Sequence, residues 1–318
     1  MSDREPLLDA LPPDPVPPSP AGSRASAAAR RELIRQTARR TLRRRETARK
    51  LAFGICGMAV AIALVPLVAL AGYTTSRGIH AINLDFFIHN PAPPGIPGGG
   101  ILNAIAGSIL IVGIATVLAV PVGIAAALFL LERPGRLAAA LRLGADVLSG
   151  VPSIAIGIFA YAVIVEQQGR FSAWAGAFAL AVLMLPIIIR SSEAAMSAVA
   201  VDLREAALAL GARRSRVARS VVLRGAVAGL VTGSLLALAR AVGETAPLLF
   251  TSIGSQLFNL HPSAPTAAMP LVIYANATEV YPSAEQAAWG TALVLLVLVL
   301  LLNVAARRVA ARFDRRAL

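Results

Sequence analysis

The chain has 318 residues, 57% of them hydrophobic and only 15% charged, and its mean hydropathy of +0.70 lies above what a water-soluble domain tolerates. A formal charge of +13 invites a nucleic-acid partner, but the cations cluster in short segments between long apolar runs, so no nucleic acid is expected. The lone cysteine, Cys56, excludes a disulfide framework and a cysteine-built zinc site within the chain.

Residues 1–22 are rich in proline and small side chains (PPDPVPPSP) and read as a disordered tail. A basic, helix-compatible arm follows over residues 24–50, with Arg30, Arg31, Arg35, Arg39, Arg40 and Arg43 to Arg45. An apolar run begins immediately after it, so the arm reads as a juxtamembrane segment lying on anionic membrane lipid. Six runs then fit membrane spans: 51–72, 102–131, 144–165, 171–189, 225–249 and 286–306. They are continuous and rich in Ala, Leu and Val, without the alternation of a barrel strand, which predicts an all-α membrane protein with six transmembrane helices. The first run is preceded by about 50 residues, too many for a secretory n-region, so it reads as a retained helix.

Lysine and arginine stay on the cytoplasmic side of a membrane. With the amino terminus inside, that side collects the arm, Arg133, Arg136, Arg142, Arg190, Arg204 to Arg224 and the basic tail at 307–318; the outside keeps only Arg77 and Arg170. Both termini are therefore expected in the cytoplasm. Outside, residues 73–100 form a turn-rich segment with several prolines and three consecutive glycines, and residues 251–285 contain MPLVIYANA, too short to cross and suited to a re-entrant or interfacial piece.

Between the fourth and fifth runs lies REAALALGARRSRVARSVVLR, residues 204–224. Glu205 to Leu210 is a helix-forming stretch with an acid in its first turn, Gly211 interrupts it, and residues 213–222 resume as a basic helix. Ala206, Leu208, Leu210, Val217, Val221 and Val222 are apolar in a segment expected to be wet, so a partner groove is a destination for some of them. Glu205, Ala206 and Ala207, three further residues and Gly211 resemble the EAA loop of permease subunits of ABC importers. That resemblance implies a coupling loop, about 191–224, that docks on an ATP-hydrolysing partner. The terminal proline of the family pattern is replaced here by Arg224.

The fifth run contains Arg240 and Glu244, four residues apart and so on one helix face. An arginine at the centre of a span costs about 2.5 to 3.5 kcal/mol on insertion scales and faces protein or water. Two readings stand: the pair neutralises itself as a packing device, or it lines a route on which Arg240 meets an anion. Pro121, Pro152, Pro186 and Pro247 likewise read as packing kinks or as hinges. The strings RAVGETAPLLFT (240–251, with Thr245), GGGILNAIAGSI (98–109), DVLSGVPSIAIGIF (146–159, with Ser153) and LPIIIRSSEAAMSAV (185–199) resemble the phosphate-transporting permeases of ABC importers. The resemblance implies a type I ABC importer permease fold over 51–306 and a translocation pathway near Ser153, Arg240, Glu244 and Thr245. It also implies three partners: a second, homologous permease, an ATPase dimer and an external phosphate-binding protein.

An enzyme is not indicated: no phosphate-binding G-x-x-x-x-G-K-[ST] loop occurs, Lys50 is the sole lysine, and His80, His89 and His261 lack metal-ligand spacing. No catalytic residue, cofactor or metal is expected. Another oxyanion (sulfate, molybdate or phosphonate) and a self-sufficient secondary transporter remain as alternative readings.

Overall fold

The computed structural model describes residues 20–93, 95–96 and 98–314; the proline-rich segment up to residue 19 and Arg315 and Arg316 of the basic tail lie outside the described residues. The described residues fall into two units, one ending at Ala69 and one beginning at Leu70.

Helix α1 (Pro20–Gly78) carries the basic arm and the first expected span without interruption. Its apolar residues in the first unit, among them Phe53, Ile55, Met58, Ile62, Val65 and Val68, are exposed all round, the pattern of a helix whose solvent is hydrocarbon.

The second unit continues through α2 (Leu102–Glu132), α3 (Arg136–Gly150), α4 (Ser153–Gln168), α5 (Ala173–Ser197), α6 (Val201–Ala209), α7 (Arg214–Val242), α8 (Ala246–Thr251), α9 (Met269–Ala277) and α10 (Pro282–Asp314). Helices α1, α2, α5, α7 and α10 are each long and apolar enough to cross a membrane, and α3 with α4 makes a sixth span if the bent pair is counted as one. Among the described residues β structure is confined to two isolated bridges.

Two expected spans differ in shape. The run at 144–165 is not one helix: α3 and α4 meet at a bend of 106°. Pro152 lacks an N–H and pushes Val151 to an extended conformation (φ −70°, ψ 130°), so the helical ladder stops there. The run at 225–249 starts earlier, at Arg214, and stops at Val242; the chain turns through Gly243, Glu244 and Thr245 before α8, whose first turn contains Pro247, a position that needs no N–H donor. Pro152 and Pro247 thus stand at helix starts, whereas Pro121 and Pro186 are accommodated inside α2 and α5. MPLVIYANA is a helix, α9, and at about 1.5 Å per residue it is too short to cross.

Helix α5 is the centre of the second unit: 61% of its apolar stretch is buried, against 28% in α2 and α7. Ala177, Leu180, Ala181, Met184 and Ile188 of α5 pack with Ile111, Ala115 and Ala119 of α2 and with Ala237 and Ala241 of α7. On α7, Gly225, Gly229 and Gly233 face Val199, Ala195 and Ser191 in antiparallel register. A Cβ on Gly229 would lie 2.4 Å from that of Ala195, and one on Gly233 would lie 2.1 Å from Ser191 Oγ. Lipid supplies no hydrophobic drive between helices, so such close contact of small residues supplies the association by van der Waals packing.

Candidate coupling loop and intramembrane charges

The candidate coupling loop is a helix, a turn and a helix. It starts later than the sequence suggests, because residues 191–197 still belong to α5. Helix α6 ends in a Schellman motif, in which the Gly211 N–H donates to Leu208 O (2.9 Å) and the Ala212 N–H to Ala207 O (3.1 Å). Gly211 has φ +79°, and no atom lies within 4 Å of where its Cβ would be, so glycine is required there by backbone conformation rather than by space. The apolar residues expected to seek a partner divide into two groups. Val217 and Val222, at the base of α7, are buried in the chain's own core, where Val222 meets Ala127, Met196, Val199 and Ala226. By contrast, α6 buries no residue: Leu208 is exposed and Leu210 is 90% exposed. Glu205 and Ala206 are exposed as well, whereas Arg204 and Ala207 are half-buried, one turn apart on the inward face. Arg204 donates from Nη2 to Met196 O in the last turn of α5.

Arg240 lies in the last turn of α7 and Glu244 in the turn beyond it, so they do not share a continuous helix face as the spacing suggests. The turn still brings them together, with Arg240 Nε 3.5 Å from Glu244 Oε1; the arginine side chain is 59% exposed and the carboxylate only 18%. Thr251, at the end of α8, accepts the Ser172 N–H at the start of α5 (3.0 Å). Arg240 closes the apolar helix α7, and Glu244 lies in the break between α7 and α8. Helix α8 packs on α4, where a Cβ on Gly157 would lie 2.7 Å from Pro247 Cα. Ser153 opens α4 one turn before Gly157, and Thr245 precedes α8 and accepts the N–H groups of Leu248 and Leu249 through its carbonyl. The two helix breaks that carry Ser153 and the Arg240–Glu244–Thr245 segment therefore open onto helices that touch each other.

A second charge cluster escaped the sequence reading. Arg142 and Asp146 of α3 meet Arg190 and Glu193 of α5: Arg142 Nε donates to Glu193 Oε1 (2.7 Å), Arg190 Nε to Asp146 Oδ1 (3.0 Å) and Arg190 Nη1 to Glu193 Oε2 (3.3 Å). Two carbonyls complete the cluster, Leu130 O accepting from Arg142 and Arg142 O from Arg190, each at 3.3 Å. Glu193 is the hinge pin, 15% exposed and shared by both guanidiniums. The i, i+4 spacing of Arg142 and Asp146 and the i, i+3 spacing of Arg190 and Glu193 were visible, but their pairing crosses about 50 residues of chain. A cavity of about 460 Å³ opens elsewhere, between residues 80–103, 253–256 and α9, away from both charge groups. Among the described residues no cluster of His, Cys, Asp or Glu is suited to a metal ion.

Comparison with known proteins adds relatives to this geometry. A family model described as binding-protein-dependent transport system inner membrane component matches residues 119–318. The chain is 42% identical over 241 residues, 75% of its length and 82% of the relative's, to a phosphate transport system permease protein PstA of Yersinia pestis. It is 39% identical over 265 residues, 83% of its length and 94% of the relative's, to the protein of the same name in Haemophilus influenzae. Among solved structures it is similar to an inward facing conformation of the MetNI methionine ABC transporter, with a TM-score of 0.57 and 19% identity over 67% of this chain and 95% of that one.

Proposed function

The chain belongs to the family of binding-protein-dependent transport system inner membrane components, and from that premise we infer that it is the membrane-spanning permease subunit of an ATP-driven importer of inorganic phosphate. It is a multi-pass inner-membrane protein with the fold of ABC importer permeases, and it is not itself an enzyme. The complete machine in this reading adds a second homologous permease, a pair of ATPase subunits and an external phosphate-binding protein. The arginine distribution supports a cytoplasmic location for both termini and for the α6–α7 loop. The resemblance of Glu205, Ala206, Ala207 and Gly211 to the EAA loop, with the unburied face of α6 at Leu208 and Leu210, supports docking of the ATPase there. The basic arm and the tail at 307–318 then belong to the cytoplasmic face.

One observation carries the pathway: a guanidinium in the last turn of the apolar helix α7 that is 59% exposed on this chain and held at 3.5 Å by one acid. Left against lipid it would cost about 2.5 to 3.5 kcal/mol, so the surface that carries it is closed by protein or by water. A wall contributed by the second permease meets that need and leaves a polar route between the two chains. Phosphate suits the arginine, whose planar fork offers two parallel donors to an oxyanion. Glu244 alone would repel the anion. Its contact with Arg240 satisfies the cation when the route is empty, and phosphate displaces it when the route is filled. Ser153 and Thr245, at the adjoining breaks, offer hydroxyls beside that exchange.

The test is phosphate-dependent ATPase activity of the complex purified through a tag on this chain and reconstituted with its binding protein. Stimulation by phosphate over sulfate, lost in Arg240→Gln with the complex intact, is the expected result. Stimulation by a different oxyanion would keep the importer and discard the cargo, and absence of any associated ATPase would return a secondary transporter to first place.

A further inference from the structure

Helix α6 is held to the membrane body in an unusual way. It buries none of its residues, and its main packing is on the first turns of α7, the other half of its own loop. Its link to α5 is polar: Arg204 Nη2 donates to Met196 O, a carbonyl in the last turn of α5 that also accepts the Val199 N–H at 3.3 Å. Met196 is itself fully buried, packed with Ala127, Val199, Val222, Ala226 and Leu230 where α2, α5 and α7 converge. Arg204 Nε is also buried and has no hydrogen-bond partner among the described residues. A desolvated nitrogen of a permanent cation is tolerated where something offsets it, and here the guanidinium sits at the negative end of a helix of 25 residues. Arg204 therefore occupies a site defined by α5 rather than by its own helix.

We propose that Arg204 is a positioning residue for transport, the latch through which displacement of α6 by the ATPase is passed to the end of α5. This rests on the docking of the ATPase at the loop given above. The mechanical argument is short. Only residues 198–200 connect α5 to α6, and a turn ending at Ala198 and Val199 closes back on Ala194 and Met196, so the covalent link is itself wound onto the end of α5. With Arg204 latched to Met196 O, α6 and the last turn of α5 move as one piece. Without the latch, α6 can follow the ATPase while α5 stays behind. Helix α5 packs against α2, α3, α4, α7 and α8, so its movement reaches both helix breaks at once. Glu205 and the exposed apolar face of α6 touch the partner in this scheme, whereas Arg204 acts through Met196.

The experiment uses the complex in proteoliposomes with the binding protein and inorganic phosphate, comparing the native chain with Arg204→Gln and Arg204→Lys. If no ATPase accompanies the native chain, the docking reading itself fails, and that result is read before any variant. Given a native complex, Arg204→Gln is expected to retain the ATPase and to hydrolyse ATP within about twofold of native, while phosphate moved per ATP falls about tenfold. Arg204→Lys, which keeps a charge and a donor at the helix end, is expected to recover a measurable part of that ratio. A native ratio in Arg204→Gln would overturn the proposal. So would loss of the ATPase from the Gln complex, which would make Arg204 part of the docking surface, and so would a Lys variant no better than Gln.

Discussion

Two groups of charges lie in or beside the membrane body, and they are built differently. The α3–α5 cluster is closed: two arginines and two acids share four side-chain contacts, and two backbone carbonyls take further guanidinium protons. The Arg240–Glu244 pair is open: one long contact of 3.5 Å leaves the arginine 59% exposed on its own chain. The cluster spends guanidinium donors on its own acids and carbonyls and so ties α3 to α5, whereas the open pair leaves most of the Arg240 donors unspent. Charge within a transporter is thus no sign of a pathway by itself; what distinguishes the two is how many of the donors are already used.

That contrast can be broken by substitution. The largest effect is expected from Glu193→Gln, which strips both Arg142 and Arg190 of their shared acid. Arg190 keeps Asp146, but Arg142 is left half-buried without an acid, which should destabilise the chain by about 3 kcal/mol, seen as a lower melting temperature in detergent and less protein in the membrane. If the variant accumulates and melts like the native chain, the cluster is not what holds α3 to α5. Next comes Arg240→Gln, for which phosphate uptake should fall about tenfold to a hundredfold through loss of a charge-assisted contact, at unchanged protein level and melting temperature. A fall in stability instead of uptake would make this pair structural too, and the contrast would vanish.

Gly157→Ala sharpens the comparison without touching a charge. The added methyl would lie 2.7 Å from Pro247 Cα, so α4 and α8 must part at a cost of about 1 to 3 kcal/mol. Uptake should fall with the spacing of the two breaks while the α3–α5 cluster keeps its protection from hydrogen exchange. The smallest effect is expected for Asp146→Asn. Its carboxylate is 58% exposed and Arg190 retains Glu193, so the loss should stay within about 1 kcal/mol and uptake near native.

The span at 102–131 was read within a residue of α2 and that at 286–306 lies inside the longer α10, because a helix in lipid satisfies its own backbone and announces itself by a local apolar run. The turn at Gly211 was legible for a related reason, since a left-handed residue after a helix is a local demand that glycine meets. Pro152 carried the signal for the elbow between α3 and α4. It was read as a kink or a hinge within one span, and the sharp bend was missed because the apolar run continues on both sides and composition records hydrophobicity rather than direction. The spacing of Gly225, Gly229 and Gly233 was equally present in the string, but the partners that give it meaning lie on another helix.

What the sequence determined alone was therefore what depends on neighbours in the chain: the all-α membrane class, the placing of most spans and the glycine turn after α6. Tertiary structure decided what depends on distant segments. It turned Val217 and Val222 inward while leaving Leu208 and Leu210 outside, joined Arg142 to Glu193, and latched Arg204 to the end of α5. It also left Arg240 short of partners. The physical reason is that side-chain burial and charge pairing are properties of a packed surface, and only folding says which surfaces meet.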